Sequence, residues 1–214
     1  MTISEFEIID KFLKPIASGC KESLSLIDDV ALLSDLGSYV VSKDIFTENV
    51  HFTMDENPCD IAKRLLMANI SDIASSGSVP KYYLLGLPVN DRIDSEFYSE
   101  FCSGLSEMND RYDINLVGGD TVKTSSDLFF SLTIIGESSG EILKRSRAQE
   151  GDLIFVTDKI GDSCLYLKSR FDADFSKLID DDTLSILRTN FYEKKIHVNF
   201  MNHLLKTILY IFKV

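Results

Sequence analysis

Two short apolar runs, "KYYLLGLPV" at 81–89 and "DLFFSLTIIG" at 127–136, constrain this chain most, because both are rich in aromatic and branched residues and too short for helices. They read as strands, and "YVVSKDIF" (39–46) reads as a third that ends in polar residues. Between them the apolar spacing turns helical. Asn57-Pro58 supplies an N-cap and first-turn pair for a helix to about Ser76, closed by Gly77 and Pro80. Phe97, Phe101, Leu105 and Met108 form one stripe over 94–112. With "DINLVGG" as a fourth strand, the order implies an α/β (α+β) chain with a four-stranded N-terminal sheet.

The rest divides around "ESSG" (137–140), giving expected units at 1–138 and 139–214. Ser4 and Glu7 form a capping-box pattern before Ile8, Ile9, Phe12, Leu13 and Ile16 at helical spacing. In the second unit "DLIFVT" reads as a strand and Gly161-Asp162 as a helix start. A charged loop (172–182) and a helical stretch from about 183 to the end follow. One strand is thin for a domain core.

At 214 residues with 44% hydrophobic side chains, the chain can bury a substantial core. A formal charge of −12 argues against a nonspecific nucleic-acid or anionic-membrane binder. Such a chain can still hold phosphates when divalent cations bridge the two negative parties. The four cysteines form no CxxC pair, as in a reduced cytoplasmic protein. No signal peptide is legible, and "HLLKTILYIFKV" is too short to span a bilayer.

No P-loop, dinucleotide fingerprint, HExxH or GxSxG is present, and the three histidines are dispersed. What stands out are carboxylates at the ends of regular elements. Asp28 and Asp29 precede the apolar run of "IDDVALL", and Asp44 ends a strand seven residues before His51. Asp72 lies one helical turn after Asn69 among small residues, and Asp120 closes "VGGD". Carboxylates from several elements suit a cluster of Mg²⁺ ions, which take hard oxygen ligands. Each also has a plainer reading: adjacent aspartates as a solvated turn, "NLVGGDTVK" (115–123) as a turn, His51 as a surface histidine, Arg145 and Arg147 as a basic loop.

Taken in order, "IDDVALL", "SKDIFTENVHF", "ANISDIASSG", "LVGGDTVK", "RSRAQEGD" and "TDKIGDS" resemble thiamine-monophosphate kinase, over residues from about 4 to about 170. That family belongs with aminoimidazole-ribonucleotide synthetase and selenophosphate synthetase. The resemblance implies ATP-dependent phosphorylation of thiamine monophosphate to thiamine diphosphate with several Mg²⁺ ions. It implies an N-terminal α/β domain that dimerises through its sheet, followed by a second α/β domain. Carried over, Asp29, Ser42, Asp44, Asp72 and Asp120 are Mg²⁺ ligands. Gly119 and Asp120 contact ATP, Arg145 binds its phosphates, and His51 lies against the thiamine substrate.

Three departures qualify this. Ile27 stands where the family has a glycine, and Lys43 where it has a threonine that helps hold a metal, so that Lys43 is expected to bring positive charge into a cation site. "LRTNFYEKK" replaces a proline-rich helix start near 188. The family's SDG and GED-type motifs are absent, so the chain reads as a truncated or split kinase whose remaining motifs lie on a second polypeptide. Its unpaired "ILYIF" is a candidate exposed apolar patch. The alternatives are a non-catalytic remnant or dimerisation module of a decayed gene, and a related ATP-using synthetase.

Overall fold

The computed structural model describes residues 14, 21–28, 30–33, 38–139, 142–154, 156 and 159–198. The expected first helix at 4–16 and the "ILYIF" patch lie outside them, apart from Lys14.

Five strands form one sheet: β1 (Ala31–Leu33), β2 (Tyr39–Thr47), β3 (Val79–Val89), β4 (Asn115–Lys123) and β5 (Phe129–Glu137). Their spatial order is β1-β2-β5-β3-β4. The four expected strands are present, and the three-residue β1 is added at the edge, too short to show a pattern in sequence. β5 runs antiparallel between β2 and β3, while β4 pairs parallel with β3. Parallel neighbours need a long crossover. Helix α1 (Pro58–Ser75) connects β2 to β3, and α2 (Ser95–Tyr112) connects β3 to β4.

Both helices start where the sequence predicts. The Asn57 side chain accepts from the Cys59 N–H before Pro58, and the Asp94 side chain accepts from the Phe97 N–H. α1 is buried over most of its surface, Asp60, Lys63 and Asn69 included, because it is enclosed, with sheet strands below and α2 above. Gly104 on α2 permits that approach, since a Cβ there would run into the Cys59 carbonyl. β5 alternates as expected, sending Phe130, Leu132 and Ile134 into the core and its other side chains to the helix-free face. Phe130 stacks on Phe101 with ring centroids 4.4 Å apart.

Two expectations fail. "NLVGGDTVK" is no turn; it is the whole of β4, exposed along its length. "DLIFVT" forms no strand among its described residues, and Leu153 and Ile154 are 81% and 94% exposed. Beyond it come α3 (Asp162–Phe171), the one-turn α4 (Ala173–Ser176) inside the expected loop, and α5 (Asp181–Tyr192). α5 stops at Glu193 rather than running on, and Tyr166, Leu187, Phe191 and Tyr192 form a small second core. Among the described residues no helix is long and apolar enough to cross a membrane.

Candidate metal and phosphate site

Period-2 alternation along β2 turns Ser42 and Asp44 toward α1, with Ser42 buried and Asp44 half-buried. Asp72 sits in the last turn of α1, and the Ser42 hydroxyl donates to its Oδ2 at 2.7 Å. The fold thus joins two expected metal ligands thirty positions apart. Beneath them Asn69 is fully buried; its amide donates to the Leu65 carbonyl at 2.9 Å, while its Oδ1 has no hydrogen-bond partner. A buried orphan acceptor costs free energy that folding alone does not return.

The C-terminal end of α1 closes a cavity of about 220 Å³ lined by Asp28, Val30, Ser75, Ser76, Leu143, Lys144 and Arg145. The Arg145 N–H donates to Asp28 Oδ1 at 2.9 Å, and the Leu143 N–H to the Ser76 carbonyl at 2.9 Å. "IDDVALL" and "LKRSR" therefore meet at the end of the helix that carries Asp72, although 117 positions separate Asp28 from Arg145. Two cations at a helix C-terminus complement its partial negative charge. Asp29, the expected ligand of that pair, lies outside the described residues, as do Thr157 and Asp158 of "TDKIGDS".

Lys43 overturns an expectation. Alternation turns it away from Ser42 and Asp44, and its Nζ donates to Ser131 Oγ at 2.6 Å and Thr133 Oγ1 at 3.2 Å on the helix-free face. It brings no charge to the Ser42–Asp72 pair.

Gly119 and Asp120 stand apart from that pair. The register sets Asp120 beside Gly86, in the row of Ser131 and Ile45. Three strand spacings, roughly 14 Å, separate β4 from β2. Asp120 Oδ1 accepts from the Thr121 N–H at 2.9 Å, beside an open depression lined by Leu85, Leu87, Leu116, Gly118, Gly119 and Thr121. Gly119 has φ +156°, and a Cβ there would run into the Leu85 carbonyl oxygen. Its glycine is required by the neighbouring strand, whatever else it meets.

His51 follows β2 in a tight turn. Its ring stacks on Phe46, with centroids 5.1 Å apart and planes at 14°, and its Nδ1 accepts from the Thr47 N–H at 3.0 Å. Among the described residues no three His, Cys, Asp or Glu side chains converge on one point. The donors that do meet are all oxygen, which fits a hard divalent cation whose remaining ligands are water and phosphate.

Sequence reasoning missed the cluster beside His51. Glu56, buried, receives Arg64 at 2.9 Å, Arg170 at 2.8 Å and the Tyr192 hydroxyl at 2.9 Å. Burial raises its pKa, yet the hydrogen bonds from Arg170, the Thr53 N–H and Tyr192, with the Arg64 charge, bring it below the ordinary glutamate value. Burial and the Glu56 carboxylate push the Tyr192 hydroxyl far up, so it stays a donor.

Compared with known families, residues 27–138 match the AIR synthase related protein, N-terminal domain. The thiamine-monophosphate kinase of Caulobacter vibrioides is 36% identical over 171 residues, which cover 78% of this chain and 49% of that protein. The chain thus spans about half the length of the curated relatives it matches. The thiamine-monophosphate kinase structure from Stenotrophomonas maltophilia aligns with TM-score 0.69 at 28% identity, covering 95% of this chain and 65% of that one. AaThiL complexed with AMPPCP and TMP aligns with TM-score 0.83 at 23% identity, covering 95% and 64%, a likeness of fold.

Proposed function

The chain belongs, by its N-terminal domain, to the AIR synthase related proteins, and from that premise we propose that it serves the ATP-dependent phosphorylation of thiamine monophosphate to thiamine diphosphate. The observation that carries this is the pairing of Ser42 with Asp72 in the last turn of α1, with Asp28 and Arg145 lining the cavity at the end of that helix. The acceptor is a phosphate oxygen, so the transfer needs alignment and charge neutralisation more than a strong base. In this reading Asp29, Ser42, Asp44, Asp72 and Asp120 hold Mg²⁺, which when bound offsets negative charge on the transferred phosphoryl group. Arg145 and Gly119 lie along ATP, and His51 faces the thiamine moiety.

Residues 1–138 form the ATP and Mg²⁺ domain and 139–214 begin a second. The helix-free face of the sheet, with Ile45, Tyr82 and Leu84 exposed, suits a second copy of the chain. A second reading, a module that binds nucleotide without turnover, is favoured by the separation of Asp120 from the Ser42–Asp72 pair.

The chain with ATP, thiamine monophosphate and Mg²⁺ is expected to yield thiamine diphosphate, and Asp72→Asn and Asp120→Asn each to abolish it. Undiminished turnover in both variants refutes the metal roles. Calorimetric binding of Mg²⁺-ATP without product selects the second reading.

A further inference from the structure

We propose that Arg64 is a positioning residue for the His51 imidazole, and that Glu56 and Arg170 make the helices after 160 part of its support. This deepens the reading of His51 as a substrate contact and rests on it. Because Nδ1 accepts from the Thr47 N–H, the neutral ring carries its proton on Nε2. The exposed ring presents that N–H outward from a platform stacked on Phe46. A neutral donor of this kind suits an acceptor nitrogen on a planar heteroaromatic ring. It also adds no repulsion to a ligand that is itself cationic.

Arg64 holds this arrangement at two points. Its Nη2 donates to the His51 carbonyl at 2.7 Å, and its Nη1 reaches Glu56 at 2.9 Å. Its guanidinium lies 4.1 Å from the Phe191 ring centroid and 5.6 Å from that of Phe46, the ring beneath His51. Glu56 is gripped in turn by Arg170, which also reaches Asp55 at 2.9 Å and Thr53 at 3.0 Å. The segment that follows His51 is therefore tied to α3 through Arg170 and to α5 through Tyr192. A planar five-donor fork can bridge carbonyl and carboxylate at once; an ammonium is a point charge and cannot hold both geometries.

The test uses the whole ¹⁵N-labelled chain and long-range ¹H–¹⁵N spectra of the imidazole. The unaltered protein is expected to show distinct Nδ1 acceptor and Nε2–H signals. Arg64→Lys, which keeps the charge opposite Glu56, is expected to draw the two shifts together and to weaken thiamine monophosphate binding roughly tenfold, with sheet amides unmoved. An unchanged imidazole spectrum in a folded Arg64→Lys protein overturns the proposal, as does a loss of affinity without the tautomer signature. If Arg64→Lys does not fold, Phe191→Leu, which removes the stack on Arg64, is read the same way. A His51 signature that answers to Arg64→Lys but not to thiamine monophosphate leaves the positioning role standing and removes the substrate reading.

Discussion

Residues 38–139 and residues 142–198 meet the same demand, hiding apolar side chains from water, by different means. The first region encloses Tyr83, Phe101 and Phe130 between sheet and helices, each 0% exposed. The second buries a four-residue cluster and leaves Ile160 and Leu178 at 84% and 81% exposed. Ile142 and Val198 at its ends join the first core, but what fastens its helices is polar: Arg170 on Glu56 and Asp55, Tyr192 on Glu56, Arg188 on Asp60. Apolar burial holds a region to itself without regard to partner; ion pairs hold it only to the groups they face.

Phe130→Ala should break the comparison hardest. Removing the ring stacked on Phe101 is expected to cost about 3–5 kcal/mol and to unfold the whole sheet in one urea transition followed by circular dichroism. Next, Glu56→Gln should cost about 3 kcal/mol by leaving two arginines short of their charge partner. That loss should fall on the second region, seen as faster amide exchange in α3 and α5 while β5 stays protected.

Acid tests the same link. The Glu56 pKa is lower folded than unfolded, so its contribution is present above the ordinary glutamate range and disappears as pH falls through the folded value. Exchange in α3 and α5 should therefore accelerate on acidification before that of the sheet. Arg188→Ala should cost under about 1 kcal/mol, because that arginine is 52% exposed in its pair with Asp60. Lys177→Ala, in an exposed pair with Asp174, should leave the unfolding midpoint where it is.

Local signals were legible where one residue type has one structural use. Asn57-Pro58 starts a helix, the stripe of Phe97, Phe101, Leu105 and Met108 marks another, and the alternation of β5 places its faces. The first half of β4 was legible in "DINLVGG"; its run on through "GGDT" was not, because two glycines and an aspartate have low strand preference, and only the parallel pairing to β3 overrides it. The direction of Lys43 was available, since its neighbours Ser42 and Asp44 occupy the opposite face of the same strand. The pairing of Ser42 with Asp72 rested on family resemblance rather than periodicity. The Glu56 cluster left no trace: Arg170 and Tyr192 lie more than a hundred positions from Glu56, and charged residues so placed read as solvated surface until the chain brings them together.

The Arg170 grip on Thr53 also sets a timetable. The two residues are 117 positions apart, and ribosomes add about 5–20 residues per second. The turn bearing His51 therefore waits roughly 6–23 s in a nascent chain before Arg170 is synthesised. β5 is completed within that interval, while the turn stays open to chaperones and proteases until Arg170 arrives. The turn bearing His51 is thus fastened only after all five strands of the sheet have been made, although it follows directly on β2.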